Sequence, residues 1–123
     1  MKVIIAGSRH MADNLALVED AVVASKFSIT EVVSGCARGA DKLGERWANL
    51  RNLPVKRFPA DWNNYGKAAG PVRNRQMRDY ADALIVFIWD KSRGSENMLR
   101  QMEVAGKPVF VVRDGRVGFG PDG

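Results

Sequence analysis

Three short stretches combine small residues, hydroxyls and arginines in the manner of anion-binding loops. They are Gly7-Ser8-Arg9, Ser34-Gly35-Cys36-Ala37-Arg38-Gly39-Ala40-Asp41 and Asp90-Lys91-Ser92-Arg93-Gly94-Ser95. Glycine lets a backbone approach an anion closely, and a helix N-terminus offers free N–H donors with partial positive charge. Arginine adds a charged fork. Each stretch alone is ordinary, since glycine after a strand is turn chemistry and serine at a helix start is a cap. Their convergence would make a pocket for a phosphate or ribose-phosphate. Its candidate residues are Gly7, Ser8, Arg9, Ser34, Gly35, Arg38, Gly39, Asp41, Ser92, Arg93, Gly94 and Ser95. None of the three stretches has the GxGxxG spacing, and GxxxxGK[ST] is absent from the chain, which disfavours a dinucleotide fingerprint and a P-loop.

The elements between these stretches alternate in period. Lys2–Ala6, Thr30–Ser34, Val55–Phe58, Ala83–Trp89 and Pro108–Val112 are short apolar or β-branched runs that read as strands. Helical spacing appears in Asp13 to about Ser25, along Ala40, Leu43, Trp47 and Leu50, from Pro71 to about Tyr80, and around Met98, Leu99 and Met102. The segment Ala60–Gly70 has no clear period and reads as a long loop. The order βαβαβ-αβαβ predicts an α/β, Rossmann-like fold, with an open parallel sheet of about five strands and helices on both faces. In such a sheet ligands bind beyond the carboxyl ends of the strands, where the three stretches fall. Residues 1–112 make one domain. The tail Arg113–Gly123, with four glycines, reads as a flexible end and not as a phosphate loop.

Composition sets the outer bounds. With 123 residues, 46% hydrophobic, 27% charged and a mean hydropathy of −0.24, the chain has globular and not disordered composition. One cysteine, Cys36, and one histidine, His10, leave no disulfide and no Cys-based zinc cage. No metal and no cofactor are therefore expected. No apolar run is long enough to span a bilayer and no signal peptide is visible, so the expected setting is cytoplasmic, without membrane partners. The net charge of +5 invites nucleic acid. Yet twelve of the nineteen basic residues are arginines, several lie in the strand-end loops, and Lys2, Lys26, Lys56 and Lys107 fall toward the opposite edge. That clustering favours a compact anionic ligand over a nucleic-acid tract.

Several residues carry two readings. Trp62 and Tyr65 either stack on a base or cover the end of the sheet. Asp41 either orients Arg38 or a ribose hydroxyl, or is a first-turn carboxylate that the helix dipole favours. Cys36 at a helix start would be stabilised as a thiolate, but a small residue in a tight turn accounts for it as well. Asp82 reads as structural, and Trp47, Met98 and Met102 as core.

The three stretches resemble a known family when taken with Phe58-Pro59-Ala60-Asp61-Trp62, Tyr65-Gly66-Lys67-Ala68-Ala69-Gly70-Pro71, Arg73-Asn74-Arg75-Gln76-Met77, Ala81-Asp82 and Ser92-Arg93-Gly94-Ser95-Glu96-Asn97-Met98. That family is the YspA-related branch of the SLOG superfamily, and the likeness runs from Lys2 to about Val112. It implies a Rossmann-like fold that binds nucleotides or nucleotide-derived signals. The superfamily's relatives include the Lonely Guy phosphoribohydrolases and the DNA-processing proteins of natural transformation. Arg73, four residues before Met77, falls where the phosphoribohydrolases keep an essential Arg. Gly94-Ser95 falls on the Gly-Thr of their PGGxGTxxE loop, and Ser92-Arg93 replaces the double glycine. Their catalytic Glu would fall at Asn97 or Met98, while Glu96, the nearest carboxylate, is out of register.

An N-glycosidic hydrolase needs a carboxylate at the reacting centre, so this departure implies binding without cleavage. If the chain is an enzyme, Arg73 and Glu96 are the catalytic candidates, with Asp41 as a substitute carboxylate. The resulting expectation is a sensor or sequestering protein for an ADP-ribose-like molecule, a nucleoside monophosphate or a cyclic nucleotide signal. Arg9, Arg38, Arg73 and Arg93 would supply charge, and Asn97 a polar contact. A phosphoribohydrolase-like N-glycosidase and a single-strand DNA binder are the alternatives, and a homo-oligomer is expected.

Overall fold

A computed structural model describes residues 1–11, 13–89, 92–114 and the strand at 116–119. The chain runs β1 (Lys2–Gly7), α1 (Leu15–Ser25), β2 (Glu31–Ser34), α2 (Ala40–Leu50) and β3 (Val55–Arg57). It continues through α3 (Trp62–Tyr65), a 3-10 turn (Gly66–Ala68), α4 (Ala69–Tyr80), β4 (Ala83–Ile88), α5 (Arg93–Val104), β5 (Val109–Arg113) and β6 (Arg116–Phe119). The sheet order is β3-β2-β1-β4-β5-β6. Strands β1 to β5 pair in parallel, and β6 lies antiparallel on β5. This is the Rossmann-like α/β architecture expected from the alternating periods.

Successive strand residues point to opposite faces, and here both faces are buried. Val3, Ile5, Ile85, Phe87, Phe110 and Val112 meet Val18 and Ala21 of α1 and Leu43 and Trp47 of α2. On the other face Ile4, Ala6, Leu84, Val86, Val109 and Val111 meet Met77 of α4 and Met98, Leu99 and Met102 of α5. A doubly covered parallel sheet explains why Ala83–Ile88 is apolar at every position. Trp47, Met98 and Met102 are core, as their helical spacing predicts. Among the described residues, no helix is long and apolar enough to cross a membrane.

Three local expectations change. Helix α1 starts at Leu15, after Asn14, whose Oδ1 accepts the Ala16 N–H at 3.0 Å. The stretch read as a loop over Ala60–Gly70 is largely helical: Asp61 caps α3 by accepting the Asn64 N–H, and α4 begins two residues before Pro71. Every residue of α3 is exposed, so no apolar period marks it. The stretch read as a flexible tail contains β6. Asp114-Gly115 after an apolar strand is a hairpin signal, and Asp114 adopts a left-handed φ of 46°. Gly115 and residues 120–123 of that tail lie outside the described residues.

Candidate functional site

Strand order reverses between β1 and β4, the two strands that diverge toward opposite edges of the sheet. Loops leaving such neighbours separate and open a crevice at their carboxyl ends. Ser8 holds this point together. Its Oγ donates to the Trp89 carbonyl at 2.9 Å and accepts the Trp89 N–H at 2.7 Å, bridging the ends of β1 and β4. Gly7 lies against β4, where an added Cβ would stand 2.2 Å from the Phe87 carbonyl oxygen. Gly39, with φ +74°, brings the start of α2 onto the same loop, and a Cβ there would meet the Ser8 carbonyl oxygen at 2.3 Å. The Ala40 N–H donates to that carbonyl at 3.2 Å. A side chain at either glycine would push these loops apart.

Asp41 in the first turn of α2 is buried at the base of the crevice. Its Oδ2 accepts the Ala37 N–H at 3.2 Å. Burial pushes the carboxyl up to about 6, against the opposing pull of the Ala37 N–H and the Arg73 guanidinium. Arg73 reaches across from α4. Its Nη1 donates to the Gly35 carbonyl, and its Nε donates to Asn74 Oδ1 at 3.0 Å. Burial draws the guanidinium down from its usual range, nearby Asp41 opposes this, and Arg9 adds to it. Asn74 then donates to Asn97 Oδ1 at 2.9 Å and to the Gly94 carbonyl at 3.3 Å. One polar chain thus links the Gly35 loop to the start of α5, where Ser92 Oγ and Ser95 Oγ lie 2.8 Å apart.

These groups enclose a cleft of about 360 Å³ whose rim includes Gly7, Ser8, Arg9, His10, Asp41, Arg73, Asn74, Trp89, Ser92, Gly94 and Ser95. The methionines Met77 and Met98 also line it. That volume falls at the lower end of the range for small-molecule pockets. A second recess of about 300 Å³ adjoins it, lined by Arg9, Gly35, Cys36, Ala37, Arg38, Pro59, Ala60, Trp62 and Arg73.

The three loops read from sequence therefore meet at one edge, but not every named side chain faces the cleft. Gly7, Ser8, Arg9, Asp41, Arg73, Ser92, Gly94 and Ser95 line the first cavity, and Gly35, Arg38 and Trp62 line the second. Ser34 is a brace: its Oγ donates to Glu45 Oε2 at 2.6 Å and accepts the Cys36 N–H at 3.1 Å. Arg93 is exposed on the first turn of α5 and lines neither cavity, and exposed Tyr65 lines neither as well. Asn97 lines neither cavity, and its Oδ1 accepts from Asn74. Glu96 turns to Arg113 Nη1 at 2.7 Å, away from the cleft. Cys36 has a left-handed φ of 68°, as a small residue in a tight turn would. Asp90 and Lys91 lie outside the described residues.

Sequence reading missed Asn74 as the hub and His10 and Trp89 as lining residues. The signal for Asn74 was present: it lies one turn before buried Met77, so it shares the apolar face of α4.

A profile of the YspA, cpYpsA-related SLOG family matches residues 1–65, just over half the sequence. The chain belongs to this family. Gene 61 protein of Mycobacterium phage D29 is 36% identical over 118 residues, covering 89% of this chain and 94% of that protein. Among solved structures, DNA processing protein A (DprA) from Streptococcus pneumoniae matches 94% of this SLOG-family chain with a TM-score of 0.72 and 21% identity. The match takes in 52% of that chain, so this sequence spans about half the length of DprA. At that identity the likeness concerns the fold.

Proposed function

We propose that the cleft binds a phosphorylated, nucleotide-derived small molecule, and that the protein acts as a sensor or sequestering domain for it. The observation that carries this reading is the convergence of Arg9, Arg73 and the start of α5 around one cleft at the β1–β4 switch point. Ser92 places no side-chain cap on α5, so the partial positive charge of that terminus is available to an anion. Asp41, at the base, suits ribose hydroxyls as an acceptor. Calorimetric titration with nucleoside monophosphates and ADP-ribose at physiological salt tests the reading. Saturable binding that Arg73→Ala weakens supports it, and no binding by either class overturns it.

Glu96 is held by Arg113 and Met98 is buried in the core, which favours binding without N-glycosidic cleavage. No free base is expected after long incubation with nucleoside monophosphates. Chromatographic detection of base release that Arg73→Ala abolishes would make the domain a hydrolase, with Asp41 as its carboxylate.

A second reading is single-strand DNA binding. It draws on the name of DprA, a DNA processing protein, and on Arg38 and exposed Trp62 in one recess. A groove binder shows affinity falling with salt at a slope of about −0.7 per phosphate contact. Fluorescence anisotropy with an oligonucleotide is expected to show weak binding that vanishes by physiological ionic strength. Sub-micromolar affinity there, with a slope corresponding to four or more contacts, would favour DNA.

A further inference from the structure

Arg73 belongs to two cavities at once. The switch-point cleft and the adjoining recess share Arg9, Ala37 and Arg73, so they are neighbours with a common wall. Their linings differ in chemistry. Beside the shared Arg9 and Arg73, the cleft offers a carboxylate, three serine hydroxyls and two methionines. The recess adds Arg38 to those two guanidinium groups, with Trp62 and Pro59 also in its lining and no carboxylate there.

Two further observations single out the recess. Of the other arginines, Arg46 meets Asp13, Arg51 meets Glu19, Arg57 meets Glu45, Arg78 meets Asp79 and Arg113 meets Glu96, while Arg75, Arg93 and Arg100 are exposed and line neither cavity. Among the described residues, no carboxylate pairs with Arg9 or Arg38, and Arg9 repels Arg73. Converging like charges are stabilised by an anion placed among them. Trp62 is 55% exposed on a four-residue helix anchored by Asp61, so its ring is outside the core and free to meet a partner. Indole beside guanidinium is a stacking surface for a planar base.

We infer that the recess is a second subsite, which takes the distal phosphate and distal ring of a two-part ligand whose first half occupies the cleft. The ligand class is a dinucleotide or a nucleoside diphosphate joined to a second sugar, with its pyrophosphate at Arg73. Each cavity alone falls at the lower end of the range for small-molecule pockets, and together they have roughly twice that volume. This deepens the proposed small-ligand reading and rests on it.

The test compares ligands of one and two halves on the intact protein. AMP, ADP-ribose and diadenosine pyrophosphate, with GMP and diguanosine pyrophosphate as the guanine counterparts, are titrated by calorimetry. In parallel, each is tested for protection of Cys36, which lines the recess, from iodoacetamide. At least one two-part ligand is expected to bind tenfold or more tighter than its monophosphate. It should also slow Cys36 alkylation at saturation, while the monophosphate at saturation does not. Trp62→Ala, an exposed position that folding does not need, is expected to cut that tenfold preference to twofold or less. Equal affinity of the two classes, or equal protection of Cys36 by both, overturns the second subsite and leaves the small-ligand reading standing. No binding by any member of either class overturns the small-ligand reading itself.

Discussion

Both edges of the sheet carry charged groups, and they use them differently. At the amino edge charged groups find their partners within the protein. The N-terminal ammonium donates to the Ser28 carbonyl at 2.7 Å, and the Lys2 N–H donates to Asp82 Oδ2 at 2.8 Å. Tyr80 donates its hydroxyl to Glu31, and the Lys2 ammonium sits 4.2 Å from the Tyr80 ring centroid. Lys107 Nζ donates to the Arg78 and Ala81 carbonyls, capping the end of α4. At the carboxyl edge, by contrast, Arg9, Arg38 and Arg93 lack a carboxylate among the described residues, and burial raises the Asp41 carboxyl. Net charge cannot distinguish these edges. Satisfied polar groups mark architecture, and groups left without a partner make a candidate place for binding.

The comparison can be broken at the glycines that shape the carboxyl edge. Gly39→Ala places a Cβ against the Ser8 carbonyl at a positive φ. It is expected to cost about 3 kcal/mol or more by urea denaturation, or to prevent folding. Wild-type stability would mean that the α2 start does not rest on the Ser8 loop.

Asp41 supplies the next largest effect. Its carboxyl is raised from an ordinary 3.8 to about 6. Between those values the folded state holds a proton that the unfolded state has released, so stability falls as pH rises from about 4 to about 6. The loss is on the order of 3 kcal/mol. It is fully developed above the folded value and absent below the unfolded one. Denaturation across this range should show the decline, and Asp41→Asn should remove it. An unchanged slope in the variant would assign the effect to another group.

Arg73→Ala sharpens the contrast from the binding side. Loss of a charge-assisted contact should weaken a nucleotide ligand by about 1.5–3 kcal/mol. It should also raise the Asp41 carboxyl further, since a neighbouring cation is gone. The smallest effect belongs to the amino edge. Asp82→Ala removes the acceptor for the Lys2 N–H and should cost about 1 kcal/mol of stability with ligand affinity unchanged. Calorimetry on both variants separates the two edges, and a binding defect in Asp82→Ala would contradict the division.

What the sequence made legible follows from burial. Strands covered on both faces must be apolar throughout, so Ala83–Ile88 and Lys2–Ala6 declare themselves, and their order yields the switch point and the loops beside it. Exposed α3 has no such obligation, and only its cap at Asp61 leaves a trace. Strand β6 was hidden by glycines that resemble a loose end. Within the site, residue type does not reveal direction. Ser34 and Ser8 both follow strand residues, yet one braces Glu45 and the other bridges β1 to β4. Glu96 and Arg93 share a turn with Ser95, but helix phase carries them off the cleft. Asn74 was legible through its spacing from Met77.

The most direct test of the central claim is mass spectrometry of the small molecules that the purified wild-type protein releases on denaturation, run beside Arg73→Ala. A phosphorylated, nucleotide-containing species is expected from the wild type, reduced or missing in the variant, which rebinds the emptied protein at physiological salt. A released species without phosphate, or equal release from the two proteins, would contradict it. So would an emptied protein that binds no nucleotide yet holds single-stranded DNA at that salt.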